Sequence, residues 1–103
     1  MEEAAVQRYK TFEEFWPFYV AEHSKRGTRW MHFLGTTLLI ICLIAAYRYS
    51  SLRFLLYGIV AAYGCAWTGH FLIEKNRPAT FRYPFFSLLG DFKMYGLMLT
   101  GKI

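Results

Sequence analysis

A chain of 103 residues allows one domain and leaves little room for a large water-soluble core. Its 55% hydrophobic, 20% aromatic and 18% charged content is more apolar and less charged than soluble domains usually are. The net charge of +5 is not set among exposed stacking aromatics, which argues against a nucleic-acid partner, and Cys42 and Cys65 both fall in apolar stretches, which excludes a disulfide framework.

In chain order the first predicted element is an interfacial helix over about 11–23. Thr11 with Glu14 three residues later makes a capping box, and Phe12, Phe15, Trp16 and Tyr19 recur at helical spacing, with Pro17 predicted to kink the helix. The first thirty residues, with Glu2, Glu3, Glu13, Glu14 and Glu22, lack the continuous apolar core expected of a cleaved leader. Ser24 to Thr28, containing Gly27, reads as a turn. A first span follows over about 30–48, in which residues 30–47 carry no Asp, Glu, Lys or Arg. A reversal near Ser50 leads to a second span over about 53–75, where 54–73 are likewise free of those charges. Twenty residues at ~1.5 Å each reach ~30 Å, the thickness of a bilayer's hydrocarbon core. Pro78 disfavours helix at Arg77, so this span should end near Asn76. A last interfacial helix over about 87–100 is marked by Leu88, Phe92, Tyr95 and Leu99, with Asp91 in its first turn.

The expected fold is therefore all-α: a small integral membrane helical bundle, a two-span hairpin flanked by amphipathic interfacial helices, in one membrane domain over 1–103. Gly58, Ala62 and Ala66, and beside them Ala61, Cys65 and Gly69, offer small-residue faces for close helix approach. The basic residues set the orientation. Arg8, Lys10, Lys25, Arg26 and Arg29 precede the first span, Arg48 and Arg53 lie in the connection, and Lys75, Arg77, Arg82, Lys93 and Lys102 follow the second. That excess at both ends predicts cytoplasmic termini, in a bacterial inner membrane or the endoplasmic reticulum, with the lipid bilayer as partner. Association of copies into a homo-oligomer is left open.

Three histidines carry the chemistry. His32 lies eighteen residues before Ser50 and His70 twenty after it, so on antiparallel helices both stand ~27–30 Å from the turn, at one depth. His23 is near enough in sequence to fold over the same place. Glu74, four residues after His70, falls on the same helical face. Imidazoles with a carboxylate suit iron, zinc or manganese, and two or three histidines with a carboxylate is the pattern of non-haem iron oxygenases. Two other readings stay open: His32 and His70 as axial haem ligands, and a non-catalytic lipid-binding module whose histidines contact headgroups. Asp91 reads as a helix-start residue, and Asn76 as a helix cap.

The run GHFLIEKNRPATF at 69–81, with FYVAEH at 18–23, RWMHF at 29–33 and YPFFSLLGDFKMY at 83–95, resembles the fungal 2-hydroxy-fatty-acid dioxygenase family across nearly the whole chain. The resemblance implies a membrane protein of endoplasmic reticulum or bacteria. Its implied activity is iron(II)-dependent α-oxidation, in which a 2-hydroxy fatty acid loses one carbon with dioxygen. The motif's histidines correspond here to His23, His32 and His70, which would hold Fe(2+) with Glu74 as fourth ligand or orienter. Glu74 and Arg77 would then be catalytic, and Lys75 and Arg77 would steer or pair the carboxylate of a fatty-acid substrate, bidentate pairing being the capacity of Arg. Only thirty-seven residues separate His32 from His70, where fungal members carry a longer membrane segment. The core is kept and two spans are missing.

Overall fold

The computed structural model describes residues 9–103, and within them the chain is all-helical. Arg8, counted above in the basic N-terminal flank, and Glu2 and Glu3 lie outside the described residues. Helix α1 (Phe12–Glu22) starts as its capping box predicts: Thr11 Oγ1 accepts the Glu14 N–H at 3.2 Å. The Glu14 carboxylate reaches back one residue further than the motif requires and accepts the Lys10 N–H at 3.0 Å. Pro17 lies within α1 on its exposed side, where a freed carbonyl costs little.

Helix α2 (Arg26–Arg48) begins earlier than a turn through Thr28 would allow. The reason is a cap supplied from another element. Lys25, its N-cap residue, offers no side-chain hydrogen bond. Glu74 takes that place by accepting from the Lys25 N–H at 3.1 Å, the Thr28 hydroxyl at 2.7 Å and the Ser24 hydroxyl. A carboxylate at a helix N-terminus satisfies orphan donors and complements the dipole, so three residues expected in a turn, Arg26 to Thr28, become helix.

Helix α3 (Arg53–Thr68) passes directly into a π-helical stretch, Gly69–Glu74. That stretch closes where Lys75 adopts the left-handed conformation at φ 63°, with the Lys75 and Asn76 N–H groups both donating to the His70 carbonyl. A short 3-10 turn, Ala79–Phe81, leads to α4 (Pro84–Leu99), which has Pro84 in its first turn, where a missing N–H is harmless. Asp91 is consequently in the middle of α4 and not at its start.

Helices α2 and α3 pack side by side in opposite directions. Gly58 lies against Leu39 and Cys42, Gly35 against Ala62 and Cys65, and Gly69 against Thr28 and Met31. The seam thus takes Gly58 and Ala62 from one small-residue stripe and Cys65 and Gly69 from the other. A Cβ on Gly58 would stand 2.8 Å from the Cys42 Cβ, so this close approach needs glycine.

The apolar core sits at one end, where Phe15 and Tyr19 of α1 pack with Ala79, Tyr83 and Met94. Elsewhere the pattern is inverted. The buried positions of α2 are Thr28, His32, Gly35 and Thr36, while Leu34, Ile41, Leu43 and Ile44 are exposed. Helix α4 buries Ser87, Gly90 and Met94 and turns Leu88, Phe92 and Leu99 outward. Arg26–Arg48 and Arg53–Glu74 are each long and apolar enough to cross a membrane, and only 17% and 22% of their most apolar stretches are buried inside the protein.

Candidate metal centre

His23 follows α1, His32 lies in the second turn of α2, and His70 is the second residue of the π-helical stretch. All three are buried, at 1%, 6% and 2% exposure. Their Nε2 atoms converge: 3.1 Å separates His23 from His32 and 3.2 Å separates His32 from His70.

Each ring is held by its other nitrogen. His23 Nδ1 is 2.7 Å from the Tyr19 carbonyl, an oxygen that only accepts, so Nδ1 carries the proton. His70 Nδ1 is 2.7 Å from Asn76 Oδ1. Which atom of Asn76 faces the ring follows from its far end, where Nδ2 donates to the Glu22 carbonyl at 3.1 Å. His32 Nδ1 is 3.3 Å from the Asp91 carboxylate, whose charge draws the proton to that nitrogen. With three protons on Nδ1, three Nε2 lone pairs face one another. They cannot be hydrogen-bonded in the neutral rings, and lone pairs at this distance repel unless a cation lies among them. Burial, with the neighbouring His32 ring, pushes the His23 pKa down to about 2, against the upward pull of the Tyr19 carbonyl.

Metal–nitrogen bonds of ~2.1 Å place donor atoms ~3.0 Å apart at a right angle and ~3.4 Å apart at a tetrahedral one. Separations of 3.1 and 3.2 Å fall in that interval, and all three ligand atoms lie within 4.8 Å of one another. The donor set therefore fits a metal ion. A carbonyl, an amide oxygen and a carboxylate on the three outer nitrogens is the arrangement that fixes tautomer and ring orientation in metal sites.

Further support comes from α1 and α4. The Tyr19 ring stacks on His23 at 4.0 Å, and its hydroxyl donates to Asp91 Oδ1 at 2.5 Å. Burial first, and then the Asp91 charge, raise the Tyr19 pKa well above the ordinary phenol value, so it remains a donor. Gly90 makes this possible, since a Cβ there would stand 2.7 Å from the Tyr19 ring. A small pocket of about 10 Å³ adjoins the imidazoles, lined also by Tyr63, Ser87 and Asp91. Such a volume holds one water-sized group. Next to it a cleft of about 380 Å³ runs from His32 and Asp91 between α2, α3 and α4 as far as Leu43 and Leu55.

Residues 9–103 match the family described as 2-hydroxy-palmitic acid dioxygenase Mpo1-like. The chain belongs to this family. No curated protein and no solved structure matches it.

In this Mpo1-like chain the residues singled out from sequence part company. The structure brings His23, His32 and His70 together and does not bring Glu74 to them, because its carboxylate is taken by Ser24, Lys25 and Thr28. One turn beyond His70, Glu74 meets the open N-terminus of α2 instead of the imidazoles. Lys75 and Arg77 line a separate open concavity with Phe71, Leu72 and Asn76, and do not line the pocket beside the imidazoles. Sequence reasoning missed Asp91, Ser87 and Asn76. For Asp91 a signal existed, an acidic residue in the middle of an otherwise apolar segment. Asn76 was visible only as a cap.

Proposed function

We propose that this chain is an iron(II)-dependent dioxygenase of 2-hydroxy fatty acids, working at the face of a membrane that its two long helices cross as a hairpin. The observation that carries this reading is the convergence of three Nε2 lone pairs, each with its Nδ1 tied to an oxygen. His23, His32 and His70 would hold the metal, which leaves positions open for ligands from outside the protein, as in non-haem iron oxygenases. Bound iron(II) would supply the one-electron chemistry that dioxygen needs to react with a closed-shell organic acid.

The chain's own residues do the rest. The cleft receives the acyl chain, its walls being Leu39, Leu43, Ile59 and Phe92 over ~16 Å of α2 from His32 to Leu43. Its volume is in the usual range for small-molecule sites. With the tail so lodged, the head of the acid comes to the imidazoles, where the cleft meets the small pocket beside His32. Asp91 holds His32 and is itself held by Tyr19. Glu74 fastens the start of α2 to the end of the second span and so keeps His32 and His70 level. Arg77 and Lys75 act on the acid as it approaches along the headgroups, Arg77 being suited to a bidentate carboxylate pair.

Removal of one carbon from a 2-hydroxy acid by one dioxygen balances as the shorter acid, carbon dioxide and water. The test is an iron(II)-loaded sample in a bilayer, given 2-hydroxy-palmitic acid under air. The expected product is the acid one carbon shorter. If no 2-hydroxy acid of any chain length is consumed, the assignment fails.

A further inference from the structure

Among the described residues, Ser87 Oγ is the buried side-chain oxygen that finds no hydrogen-bond partner. A serine inside a helix ordinarily returns its hydroxyl to the carbonyl four residues back. Here that carbonyl, of Tyr83, accepts the Ser87 backbone N–H at 2.8 Å and the hydroxyl does not join it. Ser87 is only 3% exposed, so bulk water does not serve it either. An unmet buried hydroxyl costs stability and calls for a missing partner.

The position of Ser87 says what that partner is. It lines the small pocket with all three imidazoles, one turn before Asp91 on α4, a helix that contributes no histidine. Asp91 and His32 line both this pocket and the long cleft, whereas Ser87 does not border the cleft. In the proposed reading the acyl chain lies on the Asp91 side, and Ser87 borders the space beside the imidazoles. With about 10 Å³ there, a group of the size of water or dioxygen fits.

We infer that Ser87 donates its hydroxyl proton to the small diatomic or water-sized ligand that sits against the three imidazoles, and so is a positioning residue for dioxygen. This rests on the metal reading given above. The hydroxyl supplies a donor where charge builds on the ligand, while the apolar cleft keeps the substrate tail apart from it.

Nitric oxide, a stable surrogate for dioxygen at iron(II), tests this without turnover. Iron content, N–O stretching frequency and nitric oxide release are compared in wild type, Ser87→Ala and Ser87→Thr. Ser87→Ala should keep wild-type iron, release nitric oxide about 5–10-fold faster, and show a higher N–O frequency, because one donated hydrogen bond is lost. Ser87→Thr, which retains the hydroxyl, should stay near wild type on both. The metal-free Ser87→Ala protein should melt no lower than wild type, since an unpaired buried hydroxyl has been removed. Full iron with unchanged frequency and release in Ser87→Ala overturns the inference, as does loss of iron from that variant, which would make Ser87 part of the scaffold. Failure of the wild type itself to take up iron overturns the metal reading instead.

Discussion

A neutral imidazole has one N–H and one lone pair, and the neighbour of one nitrogen decides what the other offers. Asn76 is the neighbour that makes His70 a ligand: it accepts from Nδ1 and, through Nδ2, ties the ring to the end of α1 beside His23. Asn76→Ala should therefore weaken metal affinity by ~10–100-fold with the fold intact, as removal of such outer partners commonly does. Competition against a chelator of known affinity reads this directly, and an unchanged dissociation constant would show that His70 needs no orienter. The three histidines are legible in the sequence because helical rise alone brings His32 and His70 to one depth. Asn76 and Ser87 are not, and Asp91 shows only as an acidic residue among apolar neighbours, since their roles depend on where the chain closes after His70 and on which side of α4 turns inward.

At the scale of elements, the α2–α3 seam and the cap on α2 are the features that hold the imidazoles level. Gly58→Leu drives a side chain into Cys42 and Leu39 and should lower stability by at least ~1–3 kcal/mol, with loss of metal. Gly64, whose added Cβ would meet nothing within 4 Å, is the matched control. Gly64→Ala should be neutral or up to ~1 kcal/mol stabilising from helix propensity, and thermal melts in one detergent compare the two. Glu74→Ala removes the cap and should cost ~1–2 kcal/mol while metal stoichiometry stays at the wild-type value. A ligand would behave otherwise, losing metal first. The two spans are legible from charge-free length, and α1 from its capping box. The first three residues of α2 are not, because the group that makes them helical arrives from forty-six residues away in the sequence, at Glu74 bonded to Thr28. The π-helical stretch is equally hidden, closed as it is by two N–H groups that share the His70 carbonyl.

For the whole molecule, burial of Thr28, His32, Thr36, His70 and Ser87 beneath an outer surface of Leu, Ile and Phe is the reverse of a water-soluble helical protein. The membrane setting proposed above would suit such a surface. Tags at the two termini should be accessible from the same side, with a tag at Ser50 on the other, as the excess of basic residues at both ends requires. Protease protection in sealed vesicles checks this, and termini on opposite sides would remove the hairpin that sets His32 beside His70. The central claim is that the three imidazoles form one metal site. Iron content measured on purified wild type and on His23→Ala, His32→Ala and His70→Ala tests it most directly. The account predicts stoichiometric iron in wild type and a sharp loss in each variant, whereas folded variants that all retain full iron would contradict it.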